Sequence, residues 1–454
     1  MIQAQLESVR SRPALWLFGA TWFVSVAFDL NVYVAGLAHV YVHDACALVV
    51  GVVGVVLAVR NHTLVGNRRT VVPLVVLTFV LVNTIVLGAF HYVSMPGDLH
   101  KLFWLEHGDA IRIVGELFLV VWTFAQLRVD RDMAWFLLSV AVWGVTVSVA
   151  WMVAFLIARN TPHTTTTTLD LDVLVGLPLA VLFAVRTWPP RGADLIRLVL
   201  LAAGSTFLYS RATMVAIGIT VVGVLIVTRS VRKAGVALAS IAAGWVIVLG
   251  SSLILYGSTS LVATTFLRLQ SIGNTQLAPY TIPNREAIWR DALRIWKRSP
   301  VVGVGYHDYF IYSTVTEIKA ASAPEPNDLF SSRIKSAHND YLSWLSEMGI
   351  VGLGILIAFY GTALGLAIAH WRRESDQRLR AGYAMGLILA FLTISIFGEV
   401  LIPRTPDSTA LAMIWWIFFA TLFSGAAANQ PGSLRERAPG IVEPTAHALG
   451  RFRI

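Results

Sequence analysis

Read along the chain, hydrophobic positions come in stretches about as long as the ~20 residues a helix needs to cross a hydrocarbon core, divided by short polar segments. The pattern predicts twelve helices, at about 14–36, 40–59, 71–93, 110–127, 133–158, 172–186, 194–209, 212–228, 234–256, 349–370, 381–402 and 409–425. The 172–186 and 194–209 stretches are short for a span, and Asp29 and Asn31 interrupt the first. Between the ninth and tenth stretches lies a polar segment, 257–348, large enough to hold a substructure of its own. Residues 429–454, with Pro, Gly and Arg, read as a disordered cytoplasmic tail. The expected fold class is an all-α polytopic membrane protein of about twelve transmembrane helices. It divides into spans 1–9 (1–256), a large, partly helical outer loop (257–348), spans 10–12 (349–428) and the tail.

Composition strengthens this reading. Of 454 residues, 56% are hydrophobic and 13% charged, against roughly 25% charged in an average soluble domain, which excludes an ordinary water-soluble enzyme. A net charge of +9 would suggest nucleic acid in a soluble protein, but a membrane protein gathers Lys and Arg in its cytoplasmic loops for topological reasons. With a cytoplasmic N-terminus and twelve spans, 21 of the 35 basic residues fall inside, nine in the long loop and five at short outer connections. Both termini are therefore expected inside and the long loop outside. The first stretch, following Arg10 and Arg12 without a small-residue cleavage site, reads as a retained span. Cys46, the single cysteine, has no partner for a disulfide or a thiolate metal site.

The long loop carries nine basic and eight acidic residues, so it is no polybasic patch, and it holds neither a Gly-rich phosphate loop nor Cys/His metal spacing. Within it, Pro283-Asn284-Arg285 opens a helical pattern reaching Arg298. Projected at 100° per residue, Arg290, Asp291, Arg294, Lys297 and Arg298 share one face and Ile288, Trp289, Ala292 and Trp296 the other. Arg285 sits on the apolar face. Its guanidinium either snorkels from the helix end or serves a site beneath the helix that needs a fixed positive charge.

Downstream, the segment RIKSAHNDYLSWLSEMGIVGL (333–353) puts His338-Asn339 just ahead of Gly349 and Gly352, where the chain re-enters the membrane. A neutral imidazole there, titrating near working pH, is suited to take a proton from a sugar hydroxyl attacking an anomeric carbon. A structural interface histidine is the alternative. Gly349 and Gly352 read most simply as packing glycines that let helices approach. Arg211 falls at the outer connection between two spans, and Arg112, Arg159 and Arg404 lie at other outer ends. Each alone fits a snorkelling span end. Together, at one level, they suit a lipid pyrophosphate held at headgroup depth. Glu106, His107, Asp109 and Glu116 gather near another outer connection, where Glu116 needs a partner or belongs to a proton path; Thr164 to Thr168 read as an exposed loop.

His338-Asn339, nine residues, Gly349, two residues, Gly352 resembles the motif of the O-antigen ligase and O-antigen polymerase superfamily of bacterial membrane glycosyltransferases. Arg285-Glu286-Ala287-Ile288-Trp289, then Pro300-Val301-Val302-Gly303-Val304-Gly305 and Phe310, looks like that family's loop, and Ser210-Arg211-Ala212 resembles its arginine-bearing outer turn. The agreement runs across about residues 200–370. The resemblance implies an inner-membrane enzyme with a periplasmic loop. It would transfer a glycan from undecaprenyl pyrophosphate to an acceptor, inverting, without metal, cofactor, nucleotide sugar or nucleic acid. His338 would activate the acceptor hydroxyl, Arg211 and Arg285 would hold the pyrophosphate, and Asn339 would orient the histidine region. The acceptor is lipid A-core for a ligase, another lipid-linked glycan for a polymerase, or a protein hydroxyl for an oligosaccharyltransferase; the motif spacing favours the ligase. A transporter is the rival from another class, with Glu116, Asp170, Asp172 and Glu399 as intramembrane acids, but the long asymmetric loop and the lack of a repeat argue against it.

Overall fold

The computed structural model describes residues 13–27, 31–33, 39–64, 70–94, 100–127, 131–158, 167–186, 189–208, 210–256, 281–314, 336–371, 375–396, 401–402 and 409–425. Arg159, Arg404, Glu399, the Thr164–Thr166 stretch and the tail 429–454 lie outside them. The described chain is helical: α1 (Pro13–Ala27), α2 (Val42–Asn61), α3 (Val71–Ser94), α4 (His100–Gln126), α5 (Arg131–Ala158), α6 (Thr167–Arg186), α7 (Gly192–Ser205), α8 (Arg211–Thr228), α9 (Val231–Tyr256), α10 (Thr281–Trp296), α11 (Tyr309–Tyr312), α12 (Asp340–Trp371), α13 (Ser375–Ile394) and α14 (Thr409–Gly425). The one departure is a small antiparallel hairpin pairing Asn31–Tyr33 with His39–Tyr41.

Each of the twelve apolar stretches overlaps a helix, though 381–402 outruns α13, which ends at Ile394; among the described residues five helices are long and apolar enough to cross a membrane: Val42–Asn61, Val71–Ser94, Trp135–Ala158, Val231–Ser251 and Asp340–Trp371. The first stretch is corrected. Its helix ends at Ala27, short of the predicted 36, and the hairpin follows. Asn31 begins a strand, and Asp29 lies outside the described residues.

Helix α6 is buried along nearly its whole length, from Leu169 to Val185, and forms the centre of the bundle, whereas α9 shows Val246, Ile247 and Ile254 to the outside, as a lipid-facing helix must. Aromatic rings fill the packing around α14: Phe359 meets Trp416 and Phe419 at 5.3 and 4.9 Å, and Phe391 meets Trp415 at 5.3 Å. Both indoles, Trp415 and Trp416, donate to the Leu401 carbonyl, which gives their polar edge a partner within an apolar interior.

Helices α8 and α13 pack along each other through small residues. Thr220 donates to the Gly386 carbonyl at 3.1 Å, and a Cβ on Gly386 would stand 3.0 Å from the Thr220 Cα. Gly223 meets Gly386 and the carbonyl of Gly382, so the two helices run antiparallel. In lipid, where burial of apolar surface drives little, such close backbone approach is a main source of helix association.

Candidate functional site

Two of the sequence motifs interlock. Helix α12 runs from the loop into the apolar stretch but is broken at Gly349, whose φ of 68° and ψ of −167° are not helical. The break leaves backbone groups on either side without helical partners, and the turn 299–305 supplies them. Ile350 and Val351 N–H donate to the Pro300 and Val301 carbonyls (2.9 and 3.2 Å), while Val304 and Gly305 N–H donate to the Ser346 and Glu347 carbonyls (3.2 and 2.8 Å). Gly349 thus does more than the packing role expected of it: it admits the Val301 backbone and also opens the helix that receives the turn.

The segment before the break holds His338. Asn339 caps α12, its Oδ1 accepting from Leu342 N–H at 3.0 Å, and its Nδ2 donates to the Ile396 carbonyl at 3.0 Å. Asp340 is buried and joined to α13 twice, N–H to the Ser395 carbonyl and Oδ2 from the Ser395 hydroxyl, both 2.8 Å. Ser336 Oγ accepts from His338 N–H at 3.3 Å. Between these ties His338 is exposed, with a left-handed φ of 47°. That conformation is uncommon for a side-chain-bearing residue, and the ties at Ser336, Asn339 and Asp340 fix the backbone on either side of it.

Helix α10 lies over this segment. Ile288, Ala292 and Ile295 pack with Val304, Tyr309 and Ala337, the neighbour of His338. Arg285, half-buried, is one turn before Ile288 on that packed face. The face assignment is corrected at Asp291. It is 6% exposed rather than on the solvent side, and it accepts from Arg294, Ser313 and Thr314 at 2.6, 2.8 and 3.0 Å. A buried carboxylate with that many donors satisfies the cost of its own desolvation.

A second network ties the module to the helix bundle. Asp308, fully buried, takes His91 Nδ1 at 2.9 Å on one oxygen and lies 3.4 Å from His107 Nδ1 on the other. His91 Nε2 meets the Tyr312 hydroxyl at 2.8 Å, and His107 Nε2 meets the Thr84 carbonyl at 2.7 Å. The carbonyl can only accept, so Nε2 of His107 carries a proton. Gly88 makes room for the ring, since a Cβ there would overlap it. Burial and the charge of Asp308 raise the Tyr312 pKa, offset in part by Arg298, so Tyr312 is a neutral phenol near pH 7. Asn83 adds to the junction, accepting from Tyr306 N–H at 2.9 Å.

Arg211 begins α8, where Ser210 caps the helix by accepting from Thr213 N–H, and Asp170 accepts from Ser210 N–H at 2.7 Å. From the Thr220–Gly386 contact, Arg211 is nine residues up α8 and Ser395 nine residues up antiparallel α13, roughly 13 Å along each axis. The start of α8 is therefore level with the end of α13 that holds Asn339 and Asp340. Arg112 has other company: Asp109 at 3.0 Å, Asp44 at 3.5 Å and the Tyr41 ring at 5.2 Å. Asp44 and His43, with Arg112 beside them, also give Glu116 the partners its position demands, His43 Nε2 lying 3.8 Å from it.

Sequence reading missed His91, Asp308, Tyr312 and Glu347, whose Oε1 accepts from Tyr309 N–H at 3.1 Å. Only the Gly-Tyr-His-Asp turn next to the glycine motif could have pointed to Asp308.

A comparison with known families covers this same region. Residues 196–357 match the family model described as O-antigen ligase. This segment, less than half of the chain, is similar to the O-antigen ligase family. Arg211, Arg285, His338, Gly349 and Gly352 all fall within the matched segment. At family level the match supports an O-antigen ligase-like membrane glycosyltransferase acting on glycan and lipid substrates. No curated protein matches the chain.

Proposed function

We propose that the protein transfers a glycan from undecaprenyl pyrophosphate to a lipid A-core acceptor, with inversion and without a metal, at the periplasmic face of the bacterial inner membrane. The observation that carries the reading is the exposed, conformationally constrained His338 inside the O-antigen ligase match. An imidazole held at the end of the bundle is placed to take the acceptor hydroxyl's proton as its oxygen attacks the anomeric carbon and the C–O bond to the diphosphate breaks. Arg211 and Arg285 hold the departing diphosphate, whose growing negative charge two guanidiniums stabilise. Asn339 orients the histidine region through its cap. Arg112, Arg159 and Arg404 complete the basic outer rim.

The topology that accompanies this reading has about twelve spans, both termini cytoplasmic and residues 257–348 outside. It is supported by the inside bias of Arg and Lys, 21 of 35. Reconstitution tests the whole: purified protein with an undecaprenyl-pyrophosphate glycan, lipid A-core and EDTA is expected to give glycan-modified lipid A-core. Growth of longer lipid-linked chains instead would identify a polymerase, and labelling of a protein acceptor an oligosaccharyltransferase.

A further inference from the structure

Gly51 and Gly54 of α2 face Leu119 and Thr123 of α4, and Thr123 Oγ1 donates to the Val50 carbonyl at 3.0 Å, so the two helices run parallel. The same register, carried back towards the start of α2, brings His43 and Asp44 against Arg112 and Glu116. One ligand atom each of His43, Asp44 and Glu116 lies within 4.8 Å of the other two. His43 Nε2 is 3.8 Å from both Asp44 Oδ1 and Glu116 Oε2.

Tyr41 holds two of the three from behind. The His43 ring stacks on the Tyr41 ring with centroids 4.9 Å apart. Asp44 Oδ2 accepts from Tyr41 N–H at 2.6 Å, with Oδ1 on the side of His43. Outer contacts of this kind orient the ligands of a metal. The Glu116 side chain is 8% exposed, and its Oε2 is buried and makes no hydrogen bond.

Ionised, Asp44 and Glu116 can only accept. Arg112 stands 3.5 Å from Asp44 and is shared with Asp109 at 3.0 Å, so one guanidinium faces two carboxylates inside the bundle. Such a pair needs a proton or a cation between its members. A proton joins two oxygens but leaves His43 Nε2 beyond hydrogen-bond reach of either. A metal ion joins all three. Ligands of a tetrahedral Zn²⁺ stand roughly 3.3–3.6 Å apart, so a small closing movement completes the set. An imidazole with carboxylates suits Zn²⁺, whereas Mg²⁺ takes oxygen ligands.

We propose that His43, Asp44 and Glu116 bind a divalent transition-metal ion, Zn²⁺ by ligand chemistry, between α2 and α4. The ion is structural: it fastens the hairpin end of α2 to α4. It shares no residue with the His338 segment, so Zn²⁺ binding and transfer in EDTA are separate readouts.

The test is Zn²⁺ binding and thermal stability of the full-length, tag-free protein in neutral detergent, after treatment with EDTA and desalting. Zn²⁺ is expected to bind saturably and to raise the melting temperature, and Mg²⁺ to do neither. His43→Gln and Glu116→Gln should each lower Zn²⁺ affinity at least about tenfold. His62→Asn, at an exposed histidine just past the end of α2, should leave it unchanged. In metal-free buffer Glu116→Gln should melt no lower than wild type, because it removes a buried charge, which separates loss of the ion from a folding defect. Absence of Zn²⁺ binding by the wild type, or unchanged affinity in either variant, overturns the proposal in favour of a proton shared by Asp44 and Glu116. Equal stabilisation by Mg²⁺ overturns the assignment of His43 as a ligand.

Discussion

Gly303 and Gly349 stand on opposite sides of one backbone junction: a Cβ on Gly303 would overlap the Glu347 carbonyl, and one on Gly349 would overlap the Val301 carbonyl. Both have positive φ, 74° and 68°. The glycines are thus required twice over, by conformation and by space, and the turn and the broken helix form one unit that positions the segment carrying His338.

Gly349→Ala and Gly303→Ala are therefore expected to destabilise the protein by at least about 2 kcal/mol each, from left-handed strain and backbone overlap. Gly354→Ala, where a Cβ meets nothing within 4 Å, should be neutral. Thermal denaturation monitored by size-exclusion chromatography distinguishes them.

Asn339→Ala removes a helix cap, expected to cost about 1 kcal/mol, and also the tie to Ile396. Asn339→Asp keeps an oxygen for Leu342 N–H but puts a second acceptor opposite the Ile396 carbonyl. Transfer activity, compared at a temperature where all variants are folded, should fall in both variants, with the Asp form retaining the greater stability.

The Asp308 network predicts a graded series. Tyr312→Phe loses one hydrogen bond, about 1 kcal/mol. Asp308→Ala removes the buried carboxylate shared by buried His107 and half-buried His91 and should cost about 3–5 kcal/mol, the range for removing one partner of a buried charged pair. If Asp308→Ala melts no lower than Tyr312→Phe, the carboxylate is not the centre of the junction.

Gly386→Val should separate α8 from α13, at a cost of about 1–3 kcal/mol for overpacking, because the obstructing atom is the Thr220 Cα, which cannot rotate away. Since α8 begins at Arg211 and α13 ends at Ile394, next to Ser395, this variant should also lower transfer.

Much of the fold is legible in the sequence because a membrane helix announces itself by a long apolar run, and each of the twelve runs overlaps a helix. What the runs conceal is where such a helix breaks. The apolar run starts at Gly349, but nothing in it shows that a helix begins earlier, at Asp340, and kinks there; the contact with Val301 explains the kink. Asp291 misleads for the opposite reason: charge marks an exposed position until Ser313, Thr314 and Arg294 surround it. Arg285 is readable from helical periodicity, because one cation among Ile288, Ala292 and Ile295 stands out. His91 and Asp308 are 217 positions apart, and no local pattern links them. The family motifs reach His338, Arg211 and Arg285, but the ties that hold His338, through Asn339 and Asp340 to Ser395 and Ile396, come from chain folding alone.

The central claim is that His338 is the general base. Transfer from an undecaprenyl-pyrophosphate glycan to lipid A-core, in the presence of EDTA, should fall at least about 10²-fold in His338→Ala while its melting temperature stays at the wild-type value. Undiminished transfer in a folded His338→Ala protein would contradict the account.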